Sequence, residues 1–171
     1  FLFVAEDRGL LHAPGSSEIG RERYARYFST AHLRRLSARR SGTRHVDLWQ
    51  AYRQVVAALS SEKGLPELAL PALGGFIFSA ASTPWLDRSS LANRELLEAV
   101  RALSTTKAEG GRQGSVDWRK LGSEELGSVY EALLELHPEV NLEAFSFELS
   151  SAAGHERKTT GSYYTPSSLI Q

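Results

Sequence analysis

No cysteine occurs among the 171 residues of this chain. That excludes disulfides, thiolate zinc sites and a cysteine nucleophile, and it agrees with a cytoplasmic setting. No apolar run approaches the roughly 20 residues that a membrane span needs, so no membrane partner is expected. Net charge is also absent, with 20 basic and 20 acidic residues, and nothing global points to nucleic acid. The histidines His12, His32, His45, His137 and His155 show no ligand spacing, so no metal site is expected. Ser, His and Asp occur without a nucleophile elbow, which leaves a hydrolase without support. There is no initiator methionine, and Phe1 to Leu11 (FLFVAEDRGLL) opens inside an apolar helical stretch. A secretory signal needs a basic start and a longer apolar core, whereas Glu6, Asp7 and Arg8 interrupt this one early. Both ends read as cut, and the expectation is a segment of a longer protein.

Charge cancels in sum but not locally. Residues 21–45 carry eight arginines against one acid, Glu22, while residues 121–156 carry eight glutamates and no lysine or arginine. Within the basic stretch, Arg34, Arg35, Arg39 and Arg40 are the candidates for contact with DNA phosphates. The competing reading is a solvated face paired with the acidic helix at 124–143 or with another domain. Exposed pairs of that kind contribute under about 1 kcal/mol each.

The pattern of apolar residues predicts mostly helix. A helix is expected over 21–38, and another over 46–60 burying Leu48, Trp49, Tyr52, Val55, Val56 and Leu59. Gly64, Pro66, Pro71 and Gly74-Gly75 make 62–87 irregular, with one short extended piece at Phe76-Ile77-Phe78. Asn93 reads as the N-cap of a helix burying Leu96, Leu97, Val100 and Leu103. Residues 104–115 read as a mobile loop. Ser123 reads as the cap of a helix with Leu126, Val129, Tyr130, Leu133 and Leu134 on one face, ended by His137-Pro138. Phe145, Phe147 and Leu149 alternate with polar residues, as a half-buried strand does, and Gly154 reads as the turn into a second one. Trp49, Trp85 and Trp118 are read as core or half-buried packing residues, not a base-stacking platform.

The densest signal is Arg157 to Pro166 (RKTTGSYYTP). Thr165 is a natural N-cap and Pro166 a natural first helical residue, since proline's missing N–H would be unpaired there. A helix start exposes free amides and partial positive charge, where an anionic group binds readily.

Four segments in order, Phe1 to Leu11, Ala72 to Phe78 (ALGGFIF), Val116 to Leu136 (VDWRKLGSEELGSVYEALLEL) and Glu156 to Leu169 (ERKTTGSYYTPSSL), resemble one known family. They look like the region just before the catalytic domain of large bacterial N6-adenine DNA methyltransferases, including type IIG restriction-modification fusions and phage-defence methylases. GSYYTP resembles the family's motif X, which in this class precedes the glycine-rich motif I. ALGGFIF departs from the usual Asn-Gly-Gly, with Leu73 in the asparagine's place.

That resemblance implies a mainly α fold. Residues 1–143 would form a helical connector, and 144–171 a β-hairpin and motif X opening a truncated methyltransferase domain. It implies S-adenosylmethionine as cofactor of the parent protein, touched by Gly161, Ser162, Tyr163, Tyr164, Thr165 and Pro166. Mg2+ would enter only if the parent carries a nuclease. Double-stranded DNA and the parent's own methyltransferase and target-recognition domains are the implied partners, in a bacterial cytoplasm. Motif I and the Asn/Asp-Pro-Pro-Tyr/Phe motif are absent from this sequence, so the chain alone is expected to be inactive. The alternative from another class is a non-catalytic helical module that binds nucleic acid or a protein through its arginine-rich segment.

Overall fold

The structure, a computed structural model, describes residues 1–39, 42–107 and 113–151. The described chain is mainly α-helical and divides into two compact units, residues 1–119 and 120–171. In the first unit, helices α1 (Leu2–Asp7), α2 (Glu18–Tyr27), α3 (Thr30–Arg39), α4 (Asp47–Ser60) and α5 (Asn93–Ser104) are followed by a short antiparallel ladder of β1 (Thr105–Lys107) and β2 (Gln113–Ser115). The second unit holds α6 (Ser123–Leu134) and a hairpin of β3 (Leu136–Asn141) and β4 (Ser146–Ser151).

Two apolar clusters form the core of the first unit. One gathers Leu2, Ala5, Leu11, Tyr24, Val55 and Leu59 with the turn residues Leu68 and Leu70. The other sets Leu33 of α3 against Leu96, Leu97 and Val100 of α5, flanked by Phe3, Leu48 and Trp49. Helix α1 belongs to both, since Leu2 and Ala5 enter the first and Phe3 lines the second. Each fully buried leucine contributes about 1.5–3 kcal/mol, which is why so short a helix is held. It stops at Gly9, whose φ of +67° suits glycine. There the Gly9 N–H donates to Glu6 O and the Leu10 N–H to Ala5 O, closing the last turn.

The helix over 46–60 is found as expected, and Val55, Val56 and Leu59 are its buried face. Several other expectations are corrected. The single helix over 21–38 is two, because Ser29 breaks it. The Ser29 hydroxyl accepts from the His32 N–H and donates to Ala25 O, capping α3 where α2 ends. Phe76–Phe78 is a 3-10 turn, not an extended piece. Asn93 is the first residue of α5 and caps a different helix, α4, accepting from the Leu48 N–H at 3.2 Å. Leu103 is exposed, and so is Trp85, while Trp49 and Trp118 are half-buried. Residues 105–107 and 113–115 pair as strands within what reads as a loop.

In the second unit Gly122 precedes α6, and the Glu125 carboxylate accepts from its N–H at 2.8 Å, so Ser123 is not the cap. The helix ends at Leu134, and His137 and Pro138 lie within β3. Proline is tolerated because a two-stranded sheet has only edge strands. The strand around Phe147 does form, but it pairs backwards with β3. Phe145 stands in the connecting turn at φ +50°. Asn141 Oδ1 holds that turn by accepting from the Glu143 and Ala144 N–H groups. Gly154 lies outside the described residues.

Candidate functional site

The six residues of the expected cofactor turn, Gly161 to Pro166, lie outside the described residues, as does Arg40. The remaining arginine candidates divide by environment. Arg34 is used inside the fold: its two terminal nitrogens donate to the two Asp7 oxygens, at 3.0 and 2.5 Å, and its guanidinium lies over the Phe3 ring. Such a bidentate pair is directional and partly shielded from water, so it fixes α1 on α3. Arg35 and Arg39 are exposed on α3, one helical turn apart. Other members of the basic stretch also serve local structure. Arg21 donates to Ser16 Oγ and Ala13 O, Arg23 to Glu67 O, and Arg26 lies over Tyr27.

Glu6 is the centre of the polar network. Its Oε1 accepts from the Tyr24 hydroxyl at 2.6 Å and the Thr30 N–H at 2.8 Å. Its Oε2 accepts from the Thr30 hydroxyl at 2.7 Å and the Ala31 N–H at 3.1 Å. A carboxylate at the start of α3 satisfies free amides and meets the positive end of the helix dipole. Burial, and then the charge of Glu6, push the Tyr24 hydroxyl far above its ordinary ionisation range. Burial raises Tyr52 as well. His32 is lowered by burial and by the neighbouring Arg35. Composition gave no sign of the Glu6 network. The sequence signal that points to it is the Ser29-Thr30 pair after an aromatic helix, which reads as a break needing a cap.

A small cleft of about 190 Å³ lies between α4 and the following loop, lined by Arg53, Ser60, Ser61, Phe78, Thr83 and Leu86. Its described lining residues bring together no acid–base pair. In the second unit a hollow of about 530 Å³ opens beside Glu139, Asn141, Ser146 and Glu148. Glu139 and Glu148 stand directly opposite each other across the hairpin, and the Ser150 hydroxyl donates to Glu139 at 2.6 Å. Among the described residues no group of three or more His, Cys, Asp or Glu is placed to hold a metal ion. No helix among them is long and apolar enough to cross a membrane.

The second unit differs from the first in one respect that matters for function. None of its described residues is buried. On α6, Leu126, Val129, Tyr130 and Leu133 share one face at helical spacing and are all exposed, Tyr130 and Leu133 by more than 60%. The hairpin register puts Pro138, Val140, Phe147 and Leu149 on one face as well, with Val140 and Phe147 similarly open. No protein-family model, curated protein or solved structure matches the chain.

Proposed function

We propose that this chain is the non-catalytic helical portion of an adenine-specific N6 DNA methyltransferase of a restriction-modification or phage-defence system. The reading rests on the four ordered segments and their resemblance to that family. The structural observation that supports it best is the bare apolar face of α6. That helix carries most of the family-like string LGSVYEALLEL, yet Leu126, Val129, Tyr130 and Leu133 are exposed. A helix of 12 residues and a lone hairpin are marginal in water, so an amphipathic face of this width is made to be covered. A methyltransferase domain in the parent protein is the covering that the resemblance supplies.

In this reading, S-adenosylmethionine brings the methyl group, and the parent's catalytic domain delivers it to the amino group of an adenine turned out of the duplex. The contribution of this chain is binding and positioning. The Gly161–Pro166 turn would meet the carboxylate of the cofactor through the amides of a helix start and the Thr165 hydroxyl. Residues 1–119, with their own core, would act as the scaffold from which that domain is held. Mg2+ belongs to the reading only if the parent also carries a nuclease, and the setting is the bacterial cytoplasm.

A cofactor titration tests it. The isolated chain should bind S-adenosylmethionine negligibly. In the parent protein, Thr165→Ala should weaken cofactor binding by about 1–2 kcal/mol, through loss of a hydroxyl contact and a helix cap. Cofactor affinity unchanged by Thr165→Ala, with DNA binding impaired, would move the GSYYTP turn to the nucleic acid.

A further inference from the structure

The fold sorts the arginines differently from their order in sequence. Arg34 is consumed by Asp7, whereas Arg101 of α5, far along the chain, is brought against Ser37 of α3, and the Arg94 backbone against Thr43. Ser37 and Thr43 both lie against α5. Arg101 Nε donates to Ser37 O at 2.7 Å, the Arg94 N–H to Thr43 O at 3.0 Å, and the Asn93 N–H to His45 O at 2.7 Å. The approach is so close that a Cβ on Gly42 would lie 2.5 Å from the Arg94 Cα. Arg94 and Arg101, seven residues apart, are separated by two turns, or roughly 10 Å, and their side chains leave the same face of α5. Arg39 and Arg44 are exposed along this run, and Arg35 stands one turn before Arg39.

We infer that Arg35, Arg39 and Arg44 form one ridge, braced by Arg101 through Ser37 O, that binds the phosphate backbone of duplex DNA. Arg94 lies on the same ridge but donates to the adjacent Glu95, and Glu98 is exposed between Arg94 and Arg101, so the ridge is basic in balance without being free of acid. Its length suits a polyanion and not a single phosphate, because duplex DNA presents one charge per about 1.7 Å of axis. Arg39 and Arg101 also meet the carbonyl end of α3, where cations are favoured, so the ridge stands ready-made in the free protein. The choice of DNA among polyanions rests on the methyltransferase reading. The assignment of residues rests on the geometry alone.

The test is fluorescence anisotropy of the 171-residue chain with a short labelled duplex, across a salt series and without cofactor. The paired change Arg39→Gln with Arg44→Gln should weaken binding by on the order of tenfold or more at 0.1 M salt, and should reduce the slope of log K against log salt by roughly 1.8. Arg39→Lys with Arg44→Lys should restore most of both. The control Arg23→Gln with Lys63→Gln removes the same charge elsewhere and should leave the slope near the parent value. Equal loss in the control, no binding at low salt, or equal competition by polyglutamate would overturn the ridge as a DNA site. Failure here leaves the cofactor titration free to decide the methyltransferase reading, since no cofactor enters this measurement.

Discussion

Glu6 ties three helices together through one carboxylate, with four donors from Tyr24, Thr30 and Ala31. Glu6→Gln keeps the shape but turns one oxygen into a donor that faces other donors. It should cost about 2 kcal/mol, seen as a lower denaturation midpoint at unchanged slope. Tyr24 supplies a pH dependence with a definite sign. Its ionisation is raised in the fold, first by burial and then by Glu6, and Tyr52 is raised by burial. A raised value means that the stabilisation is complete below the ordinary tyrosine value, near 10, and is lost as pH climbs above it. Denaturation midpoints should therefore fall steadily between pH 10 and higher values, faster than in Tyr24→Phe with Tyr52→Phe. Tyrosinate absorbance from Tyr24 should appear only with unfolding.

At the scale of elements, α4 and α6 carry similar apolar periodicity, and only α4 is covered. Leu59→Ala should thus cost about 2–5 kcal/mol, by transfer and cavity terms. Val129→Gln and Leu133→Gln should each stay within about 0.5 kcal/mol in this chain, as exposed sites do. The hairpin is weakened by Glu139 opposite Glu148. Glu148→Lys should strengthen it by about 0.2–1 kcal/mol, read as slower amide exchange in residues 136–151. Helical periodicity made α4 and α5 legible, because each buries one face against its neighbours. It failed at Ser29, where a tertiary carboxylate, Glu6, supplies the amide partners that allow a break. It failed again at Asn93, whose side chain serves a neighbouring helix, and at Pro138, which would stop a helix but sits easily on an edge strand. Arg35, Arg39 and Arg44 of the arginine ridge stand in the basic run, whereas Arg101 braces them through packing that periodicity cannot supply.

For the whole molecule, charge and burial are split between the two units. Residues 1–119 hold both apolar clusters and most of the arginines, while the described residues of 120–171 hold seven glutamates and no core. The proposal that this chain serves adenine methylation is tested most directly by the product. Duplex DNA incubated with the full-length parent protein and S-adenosylmethionine is digested to nucleosides and analysed by mass spectrometry. The account predicts N6-methyladenine with the parent protein and none with the 171-residue chain alone. Unmodified adenine with the active, cofactor-bound parent, or methyl groups found on cytosine instead, would contradict it.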